Sequence, residues 1–184
     1  MSPTAFLDAQ QTEQFEAGLK SSENRYVQVS KIDGEKRLRF IGPAVTGLEA
    51  WAERDGKNVP VRFEVMPKEL PSDLRVADNG KPQLKNFLAG VVWDYDAQKL
   101  MILSFTQKTL REQLFRFIRD EDYGDPQGYD IKIGRKGEGL NTEYTLLASP
   151  PKEASKEITE AWETEGKKIV LAALFDNADP FLDC

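Results

Sequence analysis

The fold turns on the stretch Asp120-Glu-Asp-Tyr-Gly-Asp-Pro-Gln-Gly-Tyr-Asp130, which runs directly into Ile131-Lys-Ile-Gly-Arg-Lys-Gly-Glu-Gly-Leu-Asn-Thr-Glu-Tyr144. Gly124 and the pair Asp125-Pro126 are breakers, so a helix entering from Gln107 must stop near Asp122. Beyond Pro126, Tyr129, Ile131 and Ile133 alternate with Asp130 and Lys132, which is the period of a strand. Gly137-Glu-Gly139 then turns the chain into a second alternating run through Thr142, Tyr144 and Leu146. One segment thus joins a helix end, a tight turn and two strands, with no catalytic nucleophile and no metal-ligand pair.

Upstream, a strand is expected from Arg25 to Ile32, turning at Asp33-Gly34 into a partner from Lys36 to Ile41. On that partner Leu38 and Phe40 face inward and Arg37 and Arg39 outward, and Gly42-Pro43 ends it. A third strand runs from Val45 to Arg54 around Trp51. After the turn at Asp55-Gly56, Val59, Val61, Phe63 and Val65 form a fourth, with Arg62 and Glu64 on the far side. Pro67, Pro71, Gly80 and Pro82 mark a long aperiodic loop, of the kind that is functional or disordered. Phe87 to Tyr95 is apolar on both faces and belongs in mid-sheet; Leu100 to Phe105 follows after a turn. Thr106 is the expected N-cap of the one strong helix, whose apolar stripe is Leu110, Leu114, Phe117 and Ile118. About eight strands and one internal helix, without βαβ alternation, predict a mainly β fold: a barrel or a strongly bent antiparallel sheet.

The flanks differ from this body. Residues 1–24 are polar, with Phe6, Leu7, Phe15 and Leu19 spaced for at most a weak amphipathic helix, and are expected to be a flexible arm. Residues 25–150 make the folded domain. Pro150-Pro151 then opens a segment, residues 151–184, expected to be a Glu/Lys-rich helix and an acidic tail. The net charge of −6 resides mostly in the flanks. Residues 1–24 carry one Lys against four acids, and residues 146–184 four Lys against eight, so the body is almost neutral. Such a body can carry a basic groove if its signs segregate between faces. Cys184 is the only cysteine and His is absent, which excludes an intrachain disulfide and ordinary zinc sites. With no apolar run of membrane length and no secretion signal at the start, a cytoplasmic setting is expected.

Enzyme chemistry finds little support. Asp120, Glu121, Asp122, Asp125 and Asp130 invite a Mg²⁺ or Ca²⁺ site, but their spacing does not match a calcium loop. A helix C-terminus also disfavours acids, so a solvated helix end and turn is the competing reading. Nucleophile triads fail for want of a His base. Gly134-Arg-Lys-Gly-Glu-Gly139 lacks the Lys-Ser/Thr ending of a phosphate loop and reads as a hairpin. No catalytic residue, metal site or cofactor is expected.

Sequence-tolerant binding of a single nucleic-acid strand needs rings that stack bases and cations that track phosphates. Bases and aromatics interleave at Arg37, Arg39 and Phe40, at Trp51 and Arg54, at Arg62 and Phe63, at Trp93 and Tyr95, and at Lys132, Arg135, Lys136 and Tyr144. Phe40 and Phe63 share faces with Leu38 and Val61 and read as core; Trp51, Trp93 and Tyr95 fit core or stacking equally. Several motifs carry a family resemblance: Tyr123-Gly-Asp-Pro, Gly128-Tyr-Asp-Ile, Gly137-Glu-Gly-Leu with Thr142 and Tyr144, Gly80-Lys-Pro, Val92-Trp-Asp-Tyr-Asp, Thr106-Gln-Lys-Thr-Leu-Arg-Glu, and Phe40-Ile-Gly-Pro with Trp51. Over roughly residues 25 to 150 the chain resembles the single-stranded-DNA-binding proteins of tailed phages. The resemblance implies an OB-like barrel that coats single-stranded DNA in phage DNA replication or recombination, in the host cytoplasm. The phosphate contacts expected are Arg37, Arg39, Arg54, Arg62, Lys132, Arg135 and Lys136, with Trp51, Trp93, Tyr95 and Tyr144 as stacking rings.

The end of the chain, Leu174-Phe-Asp-Asn-Ala-Asp-Pro-Phe-Leu-Asp183, is similar to the acidic tails of bacterial single-stranded-DNA-binding proteins. That similarity implies docking of Asp179, Pro180 and Phe181 on replication or recombination enzymes. It departs from those tails because three residues follow Phe181, and a solubilising tail is the competing reading. Two other functions stay open: a phage protein-interaction module without enzyme activity, and a Mg²⁺-dependent nuclease using the acids after Asp120.

Overall fold

The computed structural model describes residues 24–182 and Cys184; the expected flexible arm lies, apart from Asn24, outside the described residues. Among the described residues seven strands, β1 (Tyr26–Val27), β2 (Gly34–Arg54), β3 (Lys57–Phe63), β4 (Lys85–Asp94), β5 (Lys99–Phe105), β6 (Ile131–Lys136) and β7 (Glu143–Ala148), form one mixed sheet. Helix α1 (Lys108–Arg119) lies between β5 and β6, and α2 (Lys156–Thr164) follows β7. The sheet runs β1-β5-β4-β2-β6-β7, with β3 paired to β2 beside this path. Every pair is antiparallel except β1 with β5, and the path does not close on itself. Among the described residues, no helix is long and apolar enough to cross a membrane.

The start of the chain departs from expectation. The anticipated hairpin around Asp33-Gly34 is replaced by the two-residue β1, a 3-10 turn at Val29–Lys31, and then β2. The edges of β2 are taken by β4 and β6, so Tyr26 and Val27 pair in parallel with Ile102 and Leu103 instead. Gly42-Pro43, expected to end a strand, lies inside the 21-residue β2. Gly42 adopts φ 77°, and the register with β4 shifts between Phe40 and Ala44. Such a bulge bends the strand and tolerates a proline that cannot donate to the ladder. One strand thereby serves three partners: β6 at its start, β4 along its middle and β3 at its end.

Each face of the sheet has its own core. Leu110 and Leu114 of α1 pack against Leu38, Phe40, Val92, Leu103, Ile131, Ile133 and Leu146 on one face. Burying each such side chain contributes about 1.5–3 kcal/mol. The helix takes Gln107, not Thr106, as its N-cap residue and ends at Arg119. Phe117 leans on Tyr123 and Tyr129, while Ile118, expected in the core stripe, is exposed. Gln113 accepts a hydrogen bond from the backbone N–H of Leu146, so α1 satisfies part of the unpaired edge of β7.

The opposite face carries Phe87, Ala89, Val91, Trp93, Leu100 and Ile102, and it is covered by Ile158, Leu171 and Leu174. The segment after Pro150 is therefore a layer of the fold and not an appended tail. A third, smaller cluster of Ala50, Ala52, Val61 and Leu74 holds the β2–β3 arm against the loop after Pro67, which forms isolated bridges at Leu74, Val76 and Pro82.

The C-terminal layer is located by Trp162, whose ring lies against Gly42 and Gly166 so closely that a methyl group at either would overlap it. Gly80 has a similar φ of 71° but open space around it. Gly80→Ala should therefore lose only the left-handed backbone penalty, about 1 kcal/mol. Gly42→Ala should lose about 1–3 kcal/mol more from overpacking, with a red shift of tryptophan emission as the layer lifts. Urea unfolding of the two variants checks this; equal losses would refute the role assigned to Trp162.

Candidate nucleic-acid interface

The strand alternation that places Ile131 and Ile133 in the core turns their neighbour Asp130 toward the other face of the sheet. There it meets the arginines of β2, because Leu38 pairs with Ile131 and Arg37 with Lys132. Asp130 is completely buried. Its Oδ2 accepts from Arg37 Nε at 2.9 Å and also from Arg37 Nη2, and faces Lys152 Nζ at 3.1 Å. Its Oδ1 accepts from the Tyr95 hydroxyl at 2.8 Å and from Arg39 Nη1 at 3.2 Å. Arg39 donates further to the carbonyls of Gln127 at 2.8 Å and Lys152 at 2.6 Å. The Arg37 guanidinium lies over the Tyr95 ring, 4.2 Å from its centroid.

Three cations surround one carboxylate, so two positive charges remain uncompensated within the cluster. They are not equally available. The Arg39 side chain is 2% exposed, whereas those of Arg37 and Lys152 are 41% and 51% exposed. Lys132 extends the basic face beside Arg37, paired with Glu35 at 3.2 Å. Burial pushes the Asp130 carboxyl up, but the hydrogen bonds from Arg37, Tyr95 and Lys152, with the charge of Arg37, outweigh it and hold the pKa below the ordinary aspartate value. Burial and the bond to Asp130 push the Tyr95 hydroxyl up.

A second aromatic and basic patch lies at the far end of β2. Trp51, 43% exposed, lines a cleft of about 510 Å³ together with Arg75, Asp78, Asn79, Gln83 and Lys85. Pairing of Arg39 with Trp93, Val45 with Ala89 and Gly47 with Phe87 shows which face of β2 meets the C-terminal layer. Arg37, before the bulge, and Trp51, after it, both belong to that face. The two patches thus lie at opposite ends of one strand, with the C-terminal layer between them.

The other expected contacts are distributed differently. Arg39 is enclosed by Asp130 and two carbonyls, and Trp93, 5% exposed, is core; neither reaches solvent as a contact requires. Arg62 pairs with Glu49 at 2.9 Å in a nearly buried ion pair and lies near the Phe87 ring, so it is not the free phosphate contact expected. Arg54 is exposed but holds Asp73 at 2.7 Å. Arg135 does not share a face with Lys132, since positions three apart on a strand point oppositely. It stands across from Tyr144 on the α1 side, where Tyr144 packs against the core and the Arg135 Nε is buried without a hydrogen-bond partner. Lys136 is exposed at the end of β6, across from Glu143. The structure thus brings Arg37, Tyr95 and Lys132 together with Lys152, which the sequence reading missed, as it missed Arg75 and Lys85.

Asp179, Pro180 and Phe181, expected to engage a partner, make internal contacts. Asp179 Oδ1 accepts from the Phe181 N–H at 2.9 Å, and the carbonyl of the buried Pro180 accepts from Val170 N–H at 2.9 Å. The Phe181 ring lies 4.0 Å beneath the Arg25 guanidinium and edge-on to Tyr26. The acids after the helix cap turns: Asp120 accepts from Asp122 N–H and Asp125 from Gln127 N–H, both at 2.9 Å. Among the described residues, no group of three or more His, Cys, Asp or Glu is placed to hold a metal ion. Comparison with protein-family models and with curated proteins returns no match.

Asp130 makes the cluster sensitive to acid. A depressed folded pKa contributes stability that is present above the unfolded value, about 3.9, and is lost as pH falls through the folded value. Asp130→Asn leaves Arg39 buried without its counter-charge and should cost about 3–5 kcal/mol at pH 7. Its unfolding free energy should also decline less than the parent's as pH falls below about 4. Urea titrations of both proteins across that range test the assignment.

Proposed function

We propose that the chain binds single-stranded DNA with little sequence preference, on the β2 face that carries Arg37 and Trp51. The supporting observation is the pairing of cationic side chains with an aromatic ring at both ends of that face, in surplus around Asp130 and beside Asp78 in the Trp51 cleft. Arg37, Lys132 and Lys152 lie by Tyr95 at one end, and Arg75 and Lys85 by Trp51 at the other. Cations of this kind displace counterions from the phosphate backbone, and exposed rings stack bases without reading them. The role is the one expected from the resemblance to phage single-stranded-DNA-binding proteins: coating DNA opened during replication or recombination.

The connectivity agrees with an OB-like origin. The long bent β2 is shared between β4 and β6, β4 and β5 form a hairpin, α1 follows, and β6 and β7 form a second hairpin. An OB fold is a partly open five-stranded Greek-key barrel. On this reading the β5–β7 seam is left open beside α1, and β1 and β3 are additions. The acidic C-terminal layer lies on the proposed DNA face and repels phosphate, an effect that salt screens within about 8–10 Å.

Titration with oligo-dT is expected to quench tryptophan emission, and Trp51→Phe should remove most of the quenching, because Trp93 is core and the Trp162 ring is packed against Gly42 and Gly166. Trp51→Ala should weaken binding about 5- to 150-fold, the equivalent of roughly 1–3 kcal/mol per stacked base. The log–log salt slope should shrink by about 0.7 in Lys152→Ala and in Lys132→Ala, one phosphate contact each. An absence of both quenching and mobility shift at low salt would overturn the proposal.

A further inference from the structure

The register of the sheet lines up a row of side chains across neighbouring strands. Arg37 stands opposite Lys132 on β6, and Lys132 stands opposite Leu147 on β7. On the other side of β2, Leu38 pairs with Asp94, and the Tyr95 N–H reaches the Arg37 carbonyl at 3.5 Å, so Tyr95 continues the row. Residues directly opposite one another share a face of the sheet. Tyr95, Arg37, Lys132 and Leu147 therefore stand side by side on the face proposed for DNA.

Within this row Arg37 is held unlike a free phosphate contact. Its Nε and Nη2 both donate to Asp130 Oδ2, so the forked edge that would grip a phosphate already rests on a carboxylate. Its guanidinium lies over the Tyr95 ring, 4.2 Å from the centroid. The ring itself has little left to offer. Arg37 covers it, its hydroxyl donates to Asp130, and it packs against the core cluster beneath the C-terminal layer. Yet the Arg37 side chain remains 41% exposed.

We propose that Arg37 takes an unpaired base on the outer flat face of its guanidinium, building a pile of base, guanidinium and Tyr95 ring. The assignment rests on the DNA-binding reading above and names what this end of the face recognises: a base free of a partner strand. A guanidinium plane stacks on a base much as an aromatic ring does, and only the planar cation can do so. The bonds to Asp130 fix that plane in advance, so little side-chain freedom is lost on binding. Lys132, next in the row, and Lys152, on the same carboxylate, keep exposed ammonium groups for the phosphates on either side. The exposed Leu147 beyond Lys132 offers an apolar contact to the continuing strand. A duplex keeps its bases paired and stacked within itself and presents none to the pile.

The test uses the full chain and two fluorescein-labelled strands of equal length, read by fluorescence anisotropy. One is oligo-dT, and the other has the same backbone with abasic sites in place of the thymidines. Arg37→Lys keeps the charge and removes the plane. It should weaken oligo-dT binding about 5- to 150-fold, the worth of one stacked base, and leave the abasic strand unaffected. Arg37→Ala should weaken oligo-dT binding no less. Thermal unfolding checks that both variants are folded; in each, Asp130 retains Arg39, Tyr95 and Lys152. Recovery of oligo-dT binding in Arg37→Lys relative to Arg37→Ala, or equal losses on both strands, would give Arg37 to phosphate and overturn the assignment. Oligo-dT binding unchanged in both variants would overturn it too, leaving Arg37 a structural partner of Asp130. Failure of the parent protein to bind oligo-dT at low salt is a separate outcome, which removes the DNA-binding reading and this assignment with it.

Discussion

A single buried carboxylate gathers four separate parts of this molecule. Asp130 binds two arginines of β2, the tyrosine that follows β4 and the lysine that precedes α2. A carboxylate in that position is tolerable only because its oxygens receive charged donors and a hydroxyl; left alone it would cost far more than folding could supply. The arrangement also has an electrostatic consequence. One anion answers three cations, and the cation it holds most rigidly, Arg39, is the one solvent cannot reach. Arg37 and Lys152 are anchored at the carboxylate but project their remaining donors outward, so positive charge is presented at a fixed place without a mobile side chain having to find it.

The bulge at Gly42 is the second constraint, and it acts through shape. An unbroken regular strand of 21 residues would hold one flat register. The shift between Phe40 and Ala44 bends β2, lets its two halves join different partners, and opens the space that Trp162 fills. The C-terminal layer can then bury Phe87, Val91 and Ile102 on the face opposite α1. A sheet carrying apolar residues on both faces requires a cover on each side. Here α1 and the chain after Pro150 are those covers, which is why Phe181 is engaged internally by Arg25 and Tyr26.

Part of the candidate face is legible in local pattern, and the residues that the structure places elsewhere have physical reasons. Alternation placed Arg37 and Lys132 on one face, and the register agrees. The same parity separates Lys132 from Arg135, a signal already present in the sequence. The expectation of exposure for Arg39 and Trp93 rests on a rule that equates the non-core face with solvent. That rule fails when the second face is itself covered: Ile158, Leu171 and Leu174 cover Trp93, and Asp130 with the Gln127 and Lys152 carbonyls encloses Arg39. Arg62 and Arg54 could not be distinguished from free cations by sequence, since Glu49 and Asp73 reach them only through strand pairing and loop folding. Asp130 read as a solvent-side strand residue, and nothing in its neighbours announces that four donors converge on it.

The amino-acid sequence by itself determined the period of the strands, the position of α1, the turns at Asp55-Gly56 and Gly137-Glu-Gly139, the mainly β class and the concentration of negative charge in the flanks. All of these follow from interactions among residues a few positions apart. Only the tertiary structure decided that β1 pairs in parallel with β5, that β2 continues through Gly42-Pro43, that residues after Pro150 form a layer, and that Arg39 is enclosed while Arg37 is not. Those outcomes depend on which edges and faces remain unsatisfied once the rest of the chain is in place. The stretch from Asp120 to Tyr144 shows the division within itself: its breakers and alternation set the helix end and the strand pair, whereas the arginines, tyrosine and lysine around Asp130 come from residues 22 to 93 positions away.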